Sequence, residues 1–304
     1  MISSEAVPME YWMIFAFASA LFAGLTAVLA KIGLEGTDSD LVTALRVIVV
    51  LGFAWLIVFI VGSQSTIADI SMHTLIFLVL SGLATGASWI CYFRAVQIGH
   101  VRKVAPVDKS STILAMILAF IFLGEGFSVW TAVGMVFMVI GTFLMIQDAA
   151  DGKGPPADDK EPPADRRSWI IFACMAALFA ALTSILGKIG IEGVEANLGT
   201  AIRTLVVLVM AWAIVFARKK HTEIKNIRRR NWKFIILSGL ATGASWLCFY
   251  NALQSGPVNI VVPIDKLSIV VTVVFAFLIL REKVPKRAVL GLVLLTAGTL
   301  ALLL

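Results

Sequence analysis

The chain has 304 residues, 60% of them hydrophobic and only 14% charged, with a formal net charge of +6. A soluble domain carries about 25% charged residues, and no water-soluble fold of this length could bury so much apolar side chain. The charges crowd into short segments between long apolar runs, so the positive balance signals membrane orientation rather than nucleic acid, and lipid is the expected solvent. Cys91, Cys174 and Cys248 all lie inside apolar runs without CxxC or His-paired spacing, which excludes an obvious disulfide framework, zinc site or redox motif. No P-loop, HExxH or Ser/His/Asp pattern is present, so neither ATP hydrolysis nor catalysis is expected, and no cofactor or metal is implied.

In chain order, Met1 to Glu10 contain no Lys or Arg. The positively charged start of a cleavable signal is missing, so the first apolar run reads as a permanent span. Apolar runs near 11–30, 41–62, 74–97, 102–123 and 127–146 are each near the roughly 20 residues that cross a bilayer. Residues 147–167 hold Gly-Pro-Pro and Pro-Pro among Asp, Glu and Lys, the composition of a flexible linker. Beyond it the first half returns at an offset of 157 residues. Ser81-Gly-Leu-Ala-Thr-Gly-Ala-Ser-Trp89 recurs identically at Ser238 to Trp246. Lys31 maps onto Lys188, Arg46 onto Arg203, Pro106 onto Pro263, Asp108-Lys109 onto Asp265-Lys266 and Glu125 onto Glu282. Repetition this dense means duplication and fusion. The expected fold is an all-α integral membrane protein of ten transmembrane helices, two five-helix repeats over 1–146 and 168–304 joined by a cytoplasmic linker.

Backbone groups at bilayer depth must be satisfied internally, so the runs are helices. Of the Lys and Arg between spans, Lys188 alone falls on the side of the N-terminus and twenty fall opposite. The basic side is expected to be cytoplasmic, with both termini outside and the linker inside. An odd number of helices per repeat makes the second copy insert upside-down. Inverted repeats of this kind underlie many secondary transporters, whose substrate sites lie at the repeat interface.

Six charged residues fall well inside the apolar runs, away from their ends: Arg46, Lys109, Arg203, Lys266, Asp108 and Asp265. Such groups are costly in a span and are functional candidates by default. Structural readings compete with the functional one. Arg46 is near enough to its helix start to snorkel, Asp108 suits a helix N-terminus behind Pro106, and Lys109 can pair with a neighbouring acid. If all six are ionised, positive charge exceeds negative, which favours a substrate bearing carboxylate or phosphate. The sharper expectation is that Lys109 and Lys266 contact an anionic or zwitterionic metabolite, one from each repeat. Trp89 and Trp246 suit either a cavity wall or helix packing. Gly82-x-x-x-Gly86, Gly239-x-x-x-Gly243, Gly134, Gly141, Gly291 and Gly298 read as sites of close helix approach; Glu125 and Glu282 read as turn-fixing acids, with proton coupling the competing role.

These residues resemble the EamA family of the drug/metabolite transporter superfamily, over both halves of the chain. The resemblance is carried by the Lys closing the first helix (Lys31, Lys188), the Arg early in the second (Arg46, Arg203), the Pro opening the fourth (Pro106, Pro263) and the acid at its end (Glu125, Glu282). It implies a multi-pass protein of a bacterial inner membrane that moves small metabolites, commonly as an exporter, without ATP. Its partners would be a small-molecule substrate, the lipid bilayer and protons as a candidate coupling ion, in a monomer or homodimer. Ten-helix relatives usually keep both termini in the cytoplasm, against the charge count here, and the count is followed because it is so lopsided. Alternatives are a flippase of anionic lipid head groups, efflux of lipophilic cations, for which the first helix lacks an acid, and a non-transporting scaffold.

Overall fold

In a computed structural model, the described residues are 9–34, 36–98, 104, 107–151, 168–280 and 286–303. Among them the structure is all helical, with no strand. The first half holds α1 (Met9–Gly33), α2 (Ser39–Val61), α3 (Met72–Ile98), α4 (Ser111–Leu123) and α5 (Val129–Asp151). The second holds α6 (Ser168–Ile191), α7 (Ala196–Ala217), α8 (Arg229–Ser255), α9 (Val258–Lys266), α10 (Ser268–Leu280) and α11 (Lys286–Ala301). Among the described residues, seven spans are long and apolar enough to cross a membrane, and the shorter apolar stretch Val129–Leu144 joins them. Their outward faces carry large apolar side chains such as Ile14, Ile60, Val129, Val139 and Val209, exposed as only lipid would favour. This is an integral membrane protein.

The repeat is visible in the caps. Asp38 accepts from the backbone N–H of Asp40 and Leu41 at the start of α2, and Glu195, 157 residues on, accepts from Asn197 and Leu198 at the start of α7. Acceptors there satisfy amides with no partner in the helix and suit the positive end of its dipole. After α2 and α7 come equivalent 3₁₀ turns, Ser63–Asp69 and Lys220–Asn226.

The fourth span of each copy departs from the continuous helix expected. In the second copy the chain is helical to Lys266, turns at Leu267 and resumes at Ser268. Pro263 inside α9 has no N–H to donate and crowds the carbonyl four residues back. The Leu267 N–H then turns to the Ile264 carbonyl at 2.9 Å, a tighter 3₁₀ contact. In the first copy Val107 to Lys109 are helical and Ser110 is a turn before α4. Pro106 lies outside the described residues, as does Glu282. Helix α5 runs to Asp151, past the expected boundary at 146.

The halves interleave rather than stand side by side. Helix α1 packs on α8 and α3 on α6, while α2 packs on α7 and α5 on α11. Each contact maps onto another, or onto itself, when the halves exchange, as a pseudo-two-fold axis requires. The small residues sit at these crossings. A Cβ on Gly82 would lie 2.7 Å from Val206 Cβ, and one on Gly239 would lie 2.7 Å from Val49 Cβ, its repeat equivalent. Gly134 meets the backbone of Gly298, and Gly141 that of Gly291.

One end of the bundle is tied by charge. Arg218, after α7, donates to buried Asp40 at the start of α2 over 2.6 Å and lies over the Phe93 ring. Beside it, Lys220 pairs with Glu223 and Asp38, and the hydrogen bond to Glu223 leads in holding its ammonium above its ordinary pKa.

Candidate functional site

Two cavities of about 310 and 240 Å³ meet at the repeat interface, sharing Ala23, Trp89, Ser245 and Trp246 as common walls. They form two lobes of one central cavity. Arg203 lines the larger lobe and Arg46, its repeat equivalent, the smaller. Both arginines turn inward rather than snorkelling to an interface.

Each guanidinium donates to a threonine hydroxyl of the opposite repeat, which in turn lies beside a second threonine from the arginine's own repeat. Arg203 donates from Nη2 to Thr85 Oγ1 at 2.8 Å and from Nε to Ser81 at 3.3 Å, and Thr85 in turn lies 3.3 Å from Thr183. Arg46 donates from Nη2 to Thr242 at 2.6 Å, and Thr242 lies 3.3 Å from Thr26. The two triads are the same constellation 157 residues apart. Arg203 is 2% exposed, and its guanidinium lies 4.4 Å from the Tyr250 ring centroid and 5.4 Å from that of Trp246. Arg46 has Phe93 at the position equivalent to Tyr250, and its buried Nε has no hydrogen-bond partner among the described residues.

Neither arginine forms an ion pair with a carboxylate among the described residues. A buried cation satisfied by neutral hydroxyls is expensive. It has donor capacity left over for an acceptor that enters the cavity. Asp265 and Lys266 also line the larger lobe. Asp265 accepts from Ser19 at 2.6 Å and lies 3.9 Å from Lys266. With Arg46, Arg203 and Lys266 against Asp265, the lining carries a formal excess of two positive charges.

Of the residues singled out by sequence, the structure therefore brings Arg46, Arg203, Trp89, Trp246, Asp265 and Lys266 to one cavity. Lys109 lies elsewhere, lining a side cavity of about 90 Å³ that Lys266 also borders. Asp108 sits beside it at 3.7 Å. Thr85, Thr242, Thr26, Thr183 and Ser19 were not anticipated. The signal for the first two was the identical nonapeptide, in which the eye falls on Gly and Trp.

Two family-motif residues are structural. Lys188 donates to the carbonyls of Leu253, Gln254 and Gly256, capping the C-terminus of α8 where a cation suits the dipole. Glu125, in the turn between α4 and α5, accepts from the Val258 and Asn259 backbone N–H at 2.6 and 2.8 Å and so caps α9 of the other repeat. Replacing Glu125 by Ala is expected to cost about 1–2 kcal/mol, read as a lower midpoint in thermal unfolding, with Gln restoring part of it.

The EamA-like transporter family model matches residues 10–147 and again 167–304. An uncharacterized transporter in the cobO 3′ region of a Sinorhizobium species is 42% identical over 136 residues, which are 45% of this chain and 96% of that protein. The uncharacterized transporter YxxF of Bacillus subtilis (strain 168) is 24% identical over 206 residues, 67% of this chain and 60% of YxxF. A solved crystal structure shares the fold with a TM-score of 0.75 at 14% identity, covering 96% of both chains. With both halves matched, this chain belongs to the EamA-like transporter family and is a membrane transporter.

Proposed function

We propose that the protein is a secondary transporter, working as an exporter, that carries a small anionic or zwitterionic metabolite such as an amino acid through the central cavity by alternating access. The observation that carries this reading is the pair of equivalent arginines, Arg46 and Arg203, facing the cavity with hydroxyl partners and, among the described residues, no carboxylate partner. A planar guanidinium fork suits a carboxylate or phosphate better than a point charge does. Trp246 and Tyr250 beside Arg203 supply apolar and aromatic surface for the rest of the solute. Efflux of lipophilic cations would need an unpaired acid, whereas Asp265 is already engaged by Ser19 and Lys266.

In this reading the chain crosses a bacterial inner membrane ten times as two inverted five-helix units, with 1–146 and 168–304 as the units. The broken α9–α10 pair forms one span. Both termini lie outside, and the basic 218–233 segment and the linker lie in the cytoplasm. A reporter that is active only on the non-cytoplasmic side of the membrane should be active when fused to the C-terminus. Transport draws on a solute or proton gradient.

The function is tested by counterflow in proteoliposomes preloaded with unlabelled carboxylates, phosphate monoesters, amino acids or a lipophilic cation. Accumulation of labelled anion or zwitterion above protein-free vesicles is expected. Accumulation of the lipophilic cation alone would replace the reading with cation efflux.

A further inference from the structure

The side cavity lies where the two repeats face each other across α4, α5, α10 and α11, and equivalent residues meet in it: Lys109 with Lys266, Thr112 with Ile269, Met138 with Leu295. We propose that this cavity binds the head group of an amphipathic anion, a carboxylate or phosphate on an acyl chain, entering from the bilayer. The site is separate from the arginine pair and does not depend on the substrate proposed for it.

Charge and shape both point this way. Each ammonium pairs loosely with its neighbouring carboxylate, at 3.7 and 3.9 Å, and with three N–H donors apiece both keep capacity for an acceptor in the cavity they line. Like charges set around one small space repel, and an anion between them removes that cost. Both lysines sit at the helix breaks, two residues before α4 and α10 begin, where the breaks turn them toward one space between the repeats. The remaining wall is mostly apolar. Val139 and Phe143 belong to it and are 49% and 51% exposed on the outer surface of α5, which gives the cavity a lipid-facing side. A fully hydrated metabolite gains nothing from such walls, whereas an acyl chain lies along them while its head group meets the lysines. Because Lys266 lines both cavities, an occupant here also draws on a cation of the central site.

The test is photolabelling of the full chain in phosphatidylcholine nanodiscs with a diazirine-bearing dodecanoate, followed by peptide mapping. Labelling is expected on the α5 stretch around Met138 to Phe143. Excess dodecanoate or dodecyl phosphate should suppress it at least tenfold, and butyrate or inorganic phosphate should not. Lys109→Gln should lower the labelling at least tenfold. Thr142→Trp, which fills the cavity without touching either lysine's charge, should do the same should Lys109→Gln fail to fold. Arg203→Gln should label like the wild type, which separates this site from the central one. Labelling of central-cavity residues, equal competition by butyrate or inorganic phosphate, or unchanged labelling of both Lys109→Gln and Thr142→Trp would overturn the proposal.

Discussion

Arg203→Gln should weaken binding of the transported anion by about 30-fold or more, the equivalent of ~2 kcal/mol or greater for losing one partner of a desolvated charged contact. Arg203 is the most enclosed charge in the cavity, and glutamine retains a hydrogen-bonding amide for Thr85 while removing the positive charge. Arg203→Lys keeps the charge but not the fork, so it should fall between the two. Because Arg203 also ties α7 to α3 through Ser81 and Thr85, the thermal midpoint should drop as well. Affinity is therefore measured well below that midpoint, by equilibrium binding in detergent. Normal affinity combined with a lowered midpoint would make Arg203 a structural clamp and remove the support for an anionic substrate. Arg46→Gln provides the second reading, since its Nε has no hydrogen-bond partner among the described residues. Its loss should cost binding with less damage to stability.

The second large effect lies away from the cavity. Gly141→Ala is expected to destabilise the fold by about 2–3 kcal/mol, near the top of the range for overpacking. The new Cβ would stand 2.5 Å from the Gly291 carbonyl oxygen and 2.7 Å from the Leu295 nitrogen. Both are backbone atoms, which no side-chain rotation can move aside, so α5 and α11 would have to separate. Gly52→Ala in α2 is the control: nothing lies within 4 Å of its Cβ, and the change should be neutral or stabilise by up to ~1 kcal/mol through helix propensity. Unfolding by SDS titration in mixed micelles compares the two. If Gly141→Ala unfolds with Gly52→Ala, the crossing has room for a methyl group.

Much of this protein is legible from sequence alone. The duplication, its offset of 157 and the inward-facing candidates Arg46, Arg203, Asp265 and Lys266 can all be read because lipid admits few structures and makes every buried charge conspicuous. The glycines at 134, 141, 291 and 298 were legible for the same reason, since close helix approach in lipid favours residues without side chains. What sequence could not supply is partnership between distant residues. Thr85 next to its own helix reads as a hydroxyl bonded to Ser81 one turn back, and that bond is present at 3.0 Å. Its role in holding Arg203, 118 positions away, exists only because α3 lies against α7 of the other repeat. Asp265 finds Ser19, and Glu125 finds the start of α9, by the same interleaving. Lys109 and Lys266 each follow an Asp, three residues after a Pro, yet tertiary structure gives Lys266 both cavities and Lys109 the side cavity. Local sequence determines which groups a helix carries and what they cost in lipid. Which groups meet is decided by how two inverted copies pack, and that depends on surfaces more than a hundred residues apart in the chain.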